Sequence, residues 1–419
     1  MSKQYYFIDL FAGAGGLSEG FVQAGFKPVS HIEMNQHAAN TLETRAAFEY
    51  LKENDSLSTY IDYISGKIDR STFLSCVPKQ VKDTVMCQTM SEETLPDTFN
   101  NIDNAMKERK IKCVDVIVGG PPCQAYSLVG RAQSSHMNHP MSEDSRNELY
   151  KLYVSFLKKY QPKMFVFENV MGIASANGGQ TWKDIQEYLK NAGYEIECHQ
   201  QNSKDYGVLQ NRKRMIIVGW RSDLALHYPV FEKIGTNATV NDLLSDLPKL
   251  YPGESNNNYP TEIFSKYLAD FGIRTKYDVL THHECRTTNK QDIEIYKKTI
   301  ELWNDGHKRL NYSELPVTLK THKNQKSFLD RFKVVEGDSN ACHTMLAHLS
   351  KDGHYFIHPD INQHRSITVR EAARIQSFPD NYYFEGPRTA QFVQIGNAVP
   401  PLMAKAIAKG VLKELKEEK

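Results

Sequence analysis

Short apolar runs alternating with polar, helix-forming stretches mark the two ends of this chain. Residues 5–11, 29–32, 114–118, 164–167 and 215–220 are too short for helices, so they predict buried strands. Helical spacing follows between them. Leu17, Phe21 and Val22 open a helix after a glycine turn at 13–16, and Leu149, Leu152, Tyr153, Phe156 and Leu157 trace an amphipathic helix over 147–160. Residues 182–192 predict another helix, stopped by Gly193, and the pattern recurs over 368–377 and 399–412, the latter through Leu402, Met403, Ala406, Ile407 and Val411. Strands alternating with helices predict an α/β fold, a mostly parallel sheet with helices on both faces. From about residue 226 to 364 the periodicity weakens. Asn, Tyr, Lys and His are abundant there, and Pro248, Pro252-Gly253 and Asn256-Asn257-Asn258 punctuate the segment, which predicts a second domain of irregular structure. Residues 45–110 read as polar and helix-like and carry no chemistry that the sequence alone assigns.

Composition narrows the classes. The 419 residues, 40% of them hydrophobic, suffice for two domains, and no run of 18 apolar residues predicts a membrane span. The N-terminus has no signal-peptide anatomy. Seven cysteines with no CxxC pair fit reduced thiols in a cytoplasm and argue against a disulfide framework or zinc site. His282-His283-Glu284-Cys285 has no second ligand cluster to complete a metal centre, so no metal is expected. The net charge of +1 is uninformative, but its distribution is uneven: residues 274–333 hold 13 Lys/Arg against 8 Asp/Glu, whereas 31–110 hold 9 against 13. A basic segment with interspersed aromatics fits a polyanion.

Two places carry candidate chemistry. Gly119-Gly120-Pro121-Pro122-Cys123-Gln124 follows a predicted strand and presents one cysteine on a stiff loop. Phe11-Ala12-Gly13-Ala14-Gly15-Gly16 follows the first strand and opens a helix, where close-spaced glycines let a ligand lie against the backbone. Glu33, at the end of the next strand, can accept both hydroxyls of a ribose. The spacing Gly13-x-Gly15-Gly16 departs from the dinucleotide fingerprint, which disfavours an oxidoreductase.

Six segments in order carry a resemblance: 7–16, Gly120-Pro121-Pro122-Cys123-Gln124, Glu168-Asn169-Val170, Gln210-Asn211-Arg212-Lys213-Arg214, 365–379, and Gln394-Ile395-Gly396-Asn397-Ala398-Val399-Pro400-Pro401. The set resembles the DNA (cytosine-5)-methyltransferase family over about 1–35, 114–221 and 341–410. The resemblance implies a Rossmann-like S-adenosylmethionine-dependent methyltransferase domain formed by 1–225 and 386–419, a smaller target-recognition domain at 226–364 and a hinge segment at 365–385. It implies Cys123 as the thiolate that adds to carbon 6 of an extruded cytosine, Glu168 on the ring's N3 edge, Arg214 on the cytosine carbonyl and Arg212 as a brace for the cysteine loop. A cationic neighbour or a helix N-terminus is expected to depress the Cys123 thiol. At the cofactor it implies Phe11, Gly13, Gly15, Gly16, Glu33, Met34, Pro122, Leu149, Asn397 and Val399, with Met34 against the adenine. Ser127 and Arg131, in a polar loop able to close over DNA, and Thr344 are the implied DNA contacts. The family's short Gly-Asp-Ile-like segment at the adenine has no clear copy. The expected activity is methylation of carbon 5 of cytosine in a specific duplex DNA site by a cytoplasmic monomer, alongside a cognate restriction endonuclease. Cytosine methylation of RNA, with tRNA as substrate, and a non-catalytic DNA-binding relative are the alternatives. The long stretch 226–364 favours DNA, and the intact Cys123, Glu168 and glycine loop disfavour a non-catalytic relative.

Overall fold

The computed structural model describes residues 3–121, 149–169, 179–320, 322, 324 and 326–418. Its sheet contains β1 (Tyr6–Leu10), β2 (Lys27–Glu33), β3 (Val85–Cys87), β4 (Val116–Gly119), β5 (Met164–Asn169), β6 (Tyr194–Asn202) and β7 (Lys213–Arg221). The strand order is β3-β2-β1-β4-β5-β7-β6. The strands from β3 to β5 in that order run parallel, and β7 is antiparallel to both β5 and β6.

Each strand predicted from an apolar run is present. Two more were not legible in the pattern. β3 is only three residues long, and β6 carries Glu195, Glu197, His199 and Gln200 along a largely solvated edge. Neither offers the continuous apolar run that marks a strand buried on both faces.

The longer helices, in chain order, are α1 (Gly16–Gln23), α2 (Gln36–Glu53), α3 (Leu57–Ile64), α4 (Leu95–Glu108), α5 (Leu149–Tyr160), α6 (Gln180–Asn191), α7 (Lys290–Gly306), α8 (Val369–Ile375), α9 (Arg388–Asn397) and α10 (Pro401–Glu417). Successive strand residues point to opposite faces of the sheet and build two cores. Phe7, Val116, Val118, Met164, Val166, Ile216 and Val218 pack with Phe21 of α1 and Met403, Ile407 and Val411 of α10. Ile8, Leu10, Ile117, Phe165, Phe167 and Ile217 pack with Ile102 of α4, Tyr153 and Phe156 of α5 and Ile185 of α6. The C-terminal helix therefore covers the same face as the first one, which is why the α/β pattern resumes late in the chain.

The polar interval after β2 folds as α2, α3 and short helices around Phe48, Tyr60 and Phe73. Residues 226–364 are largely irregular, as their composition predicts, but they contain α7, whose start Asn289 caps through its side chain. Ile295, Tyr296 and Ile300 of α7 pack with Tyr312, Phe332, Val334 and Ile357. Another core joins Val240, Leu268 and Ile273 to Ile375, Phe378 and Phe392. Thr368 begins α8 with a reciprocal cap involving Glu371.

Candidate active site

The chain leaves β1 through a strained turn. Phe11 has φ 57° and Gly13 φ 56°, and Gly15, at φ 78°, caps α1. A left-handed Phe costs energy that neighbouring structure must supply, a common feature of ligand sites. The glycines differ in purpose. A Cβ on Gly13 would meet nothing within 4 Å, so its backbone faces open space; on Gly15 it would stand 2.7 Å from Leu42 and 2.9 Å from the Tyr382 hydroxyl, and on Gly16 2.2 Å from the Val399 carbonyl oxygen. Gly15 and Gly16 thus serve close packing, with the Tyr382 hydroxyl donating to the Ala14 carbonyl beneath the loop. Asp9 accepts from the Ser18 hydroxyl in the same buried layer.

Glu33 ends β2 beside this turn. One carboxylate oxygen accepts the Gly13 N–H at 2.8 Å and the other the Asn35 N–H at 2.7 Å. Burial pushes the Glu33 carboxyl above its usual value of 4.5, and the amides of Asn35 and Gly13 oppose that shift. Met34, the next residue, is 65% exposed. Cys87 pairs with Glu33 across β2 and β3, and the Gln88 N–H donates to the Glu33 carbonyl at 3.0 Å. The interval that the sequence left without chemistry therefore reaches this site at the end of β3.

The second half of the site lies at the ends of β4 and β5. A Cβ on Gly120 would stand 2.5 Å from the Glu168 carbonyl oxygen and 3.0 Å from its Oε2, so the segment leading toward Cys123 runs against Glu168. Pro122, Cys123, Ser127 and Arg131 lie outside the described residues. Glu168 sits in β5 opposite Ile216, and its Oε1 is 2.8 Å from Nε of Arg214, with side chains 15% and 14% exposed. The antiparallel β7 is what brings Arg214 to the carboxyl end of β5.

Arg212 is buried and donates to the carbonyls of Met345 at 2.7 Å and Gly396 at 3.0 Å. Burial first, then the neighbouring Arg214, holds its pKa well below the ordinary arginine value, opposed by Glu168. Its described hydrogen bonds thus tie the residue that leads into β7 to two distant segments; the cysteine loop that it was expected to brace lies outside the described residues. Gln210 completes this clamp. Its amide donates to Gln376 at 2.6 Å, and its carbonyl oxygen accepts the Met345 N–H at 2.7 Å. Thr344 donates its hydroxyl to the Asn211 carbonyl. Asn397 ends α9 and is exposed, Val399 is buried with its carbonyl against Gly16, and the half-buried Leu149 begins α5.

The Tyr382 prop and the Gln210–Gln376 pair were not foreseen. Both glutamines fall within quoted motifs, but nothing local signals that residues so far apart meet. His283 donates to the Pro248 carbonyl at 2.8 Å and contacts the Thr368 hydroxyl at 3.1 Å, and Cys285 donates to the Tyr251 carbonyl. Among the described residues no group of three or more His, Cys, Asp or Glu side chains could hold a metal ion, and no helix is long and apolar enough to cross a membrane.

Known proteins match this chain along nearly its whole length. The family model described as C-5 cytosine-specific DNA methylase matches residues 5–80 and 67–413. The type II methyltransferase M.Bpa9945I of Bacillus paralicheniformis is 42% identical, over 96% of this chain and 98% of its own. M.DdeI of Desulfomicrobium norvegicum, also a type II methyltransferase, is 31% identical over 96% of this chain and 88% of its own. Among solved structures, a DNA modification methyltransferase encoded within an Escherichia coli prophage is similar at TM-score 0.63 and 23% identity, covering 99% of this chain and 100% of its own, which bears on the fold. The open glycine turn beside Glu33, the Glu168–Arg214 pair and the family match converge: the chain belongs to the C-5 cytosine-specific DNA methylase family and is a DNA (cytosine-5-)-methyltransferase.

Proposed function

We propose that the protein methylates carbon 5 of one cytosine in a short, specific duplex DNA site, with S-adenosylmethionine as donor and a covalent adduct to Cys123 as intermediate. The observation that carries this reading is the Glu168–Arg214 pair, 2.8 Å apart, on the strand against which the segment leading to Cys123 runs. The Cys123 thiolate forms an S–C6 bond with the extruded base and drives electron density onto carbon 5. Glu168 passes a proton to N3 and so neutralises the charge that this addition creates, while Arg214 keeps the carboxyl group oriented and reaches the base's carbonyl. Carbon 5 then takes the methyl group, the donor would leave as its neutral thioether, and loss of the carbon 5 proton to water expels the thiolate and frees the enzyme.

The residues present fit the methyl donor. Gly13 leaves room at the backbone, Glu33 is anchored by two amides to accept ribose hydroxyls, and the exposed Met34 offers a polarizable face to an adenine. When bound, the donor supplies an electrophilic methyl group on a sulfonium. Phe11, Gly15, Gly16, Pro122, Leu149, Asn397 and Val399 enclose it in this reading. Residues 1–225 with 386–419 form the catalytic part, 226–364 the target-recognition part and 365–385 the segment between them. Ser127, Arg131 and Thr344 meet DNA. The type II relatives support a place in a restriction-modification system with a cognate endonuclease, and the protein acts as a cytoplasmic monomer. Bisulfite sequencing of plasmid DNA from cells expressing the chain tests the reading, because it reports activity, position and sequence context together. Unmodified DNA with modified tRNA would replace it.

Two expected outcomes follow from the geometry. Glu168→Gln keeps a hydrogen-bond acceptor beside Arg214 but loses the acid–base group, so kcat should fall about 10²- to 10⁴-fold with duplex affinity largely kept. Wild-type turnover in that variant would remove Glu168 from the chemistry. The ribose contact needs ionised Glu33, whose pKa burial raises above 4.5. Donor affinity, measured by titration calorimetry, should therefore weaken on acidification at a higher pH than an ordinary glutamate would cause. Glu33→Gln should bind weakly and without that pH dependence. A wild-type profile as flat as the variant's would contradict the contact.

A further inference from the structure

The basic stretch read from the sequence ends in a loop that the catalytic geometry does not use. Over 316–333 the chain carries Lys320, Lys323, Lys326, Arg331 and Lys333 against Asp330 alone. Two large apolar side chains stand out of this loop, Val317 at 85% and Phe328 at 63% exposure. Phe328 also adopts φ 55°, a conformation that a bulky L residue holds only when its surroundings impose it.

The surroundings do impose it. Arg331 is buried and lies 4.2 Å from the Tyr312 ring centroid. It donates Nε to the Phe328 carbonyl at 2.9 Å and Nη2 to the carbonyls of Asn324 at 2.6 Å and Ser327 at 2.8 Å. The Asn324 side chain accepts the N–H groups of Lys326 and Ser327 at 3.1 and 3.0 Å. An exposed aromatic held rigidly in a strained conformation is costly twice over, which points to a contact made outside the chain.

A continuous run of contacts leads from this loop to the active site. The Lys333 ammonium lies 4.7 Å from the Tyr355 ring centroid, and that ring is 6.0 Å from His348. His348 belongs to the turn Ala347–Ser350, whose first N–H approaches Gly396 so closely that a Cβ there would stand 2.2 Å away. Asn397 follows directly.

We propose that the turn at Asn324 and 326–328, braced by Arg331, is a DNA-reading element of the second domain, with Phe328 contacting bases beside the target cytosine and Lys320 and Lys326 contacting backbone phosphates. The proposal rests on the reading of 226–364 as the target-recognition part. Duplex DNA is the occupant because cationic side chains flank the aromatic, and apolar wedges at base steps are an established way of engaging a duplex.

Phe328→Gly separates function from folding, because glycine accepts the local φ without strain. Its melting temperature and donor affinity should stay near wild type. Its KM for a short duplex carrying the mapped site should rise about tenfold or more, and bisulfite sequencing should find methylation at near-cognate sequences. Lys320→Ala and Lys326→Ala should each weaken duplex binding without changing the site preference and reduce the slope of log affinity against log salt by about 1. A Phe328→Gly enzyme with wild-type KM and site preference overturns the proposal, as it would if the loop serves a protein partner. Failure of the underlying reading has a different signature: wild-type protein then leaves duplex DNA unmethylated, and both fall together.

Discussion

Serine at position 123 is expected to abolish methylation, lowering kcat on the order of 10⁴-fold or more, while duplex and donor still bind. The proposed thiol is the only protein group in the mechanism that bonds covalently with the base, and a hydroxyl ionises far less readily than a thiol near neutral pH. Neighbouring groups cannot substitute. Glu168 and Arg214 are engaged with each other and are suited to the edge of the ring rather than to carbon 6. Initial rates of labelled-methyl transfer, with gel-shift and calorimetric controls for binding, measure the effect. A variant within tenfold of wild type would show that the addition step belongs to another residue.

Asp380→Ala should be the most damaging single change to stability away from the chemistry. Asp380 is buried and receives Arg374 through Nε at 2.9 Å and Nη2 at 2.6 Å, and the Tyr259 hydroxyl at 2.5 Å. Arg370 lies 3.7 Å away, and Arg374 continues to Asp246 at 2.6 Å, where Arg274 also binds. Removing Asp380 leaves the buried Arg374 to share Asp246 with Arg274 and takes away the carboxylate 3.7 Å from the buried Arg370. Breaking a buried pair of this kind costs about 3–5 kcal/mol, a large share of the roughly 5–15 kcal/mol that holds a domain folded. Urea unfolding measures it, and a loss below about 1 kcal/mol would contradict the assignment. Burial alone would push the Asp380 carboxyl up, but Arg374 and Arg370 overcome it and hold the pKa below 3.8. The stabilisation is therefore present above that value and fades as pH falls through the lower folded one, and the variant should lose that part of the acid sensitivity.

Much of the α/β part was legible because its signals are local. Short apolar runs marked β1, β2, β4, β5 and β7, and the turn at 13–16 with Glu33 announced a site at their ends. What escaped depends on contacts between distant positions. β3 was hidden by its length and β6 by the polar side chains of an edge. α7 carries its apolar face at Ile295, Tyr296 and Ile300 inside a segment whose composition obscures helical spacing. At the site, Glu33 and the glycine turn were readable, but Arg212 meets Met345 and Gly396, and Tyr382 props Ala14, across separations that no spacing rule covers. The segment beside Met34 was missed for a similar reason, since only the pairing of Cys87 with Glu33 brings it there.

A duplex with 5-fluorocytosine at the mapped target, incubated with protein and methyl donor, tests the central claim most directly. Fluorine at carbon 5 blocks the proton loss that would release the sulfur. The account predicts a protein–DNA complex that survives denaturing electrophoresis and yields a modified peptide containing Cys123. Absence of any such complex, under conditions where the matching cytosine duplex is methylated, would contradict it.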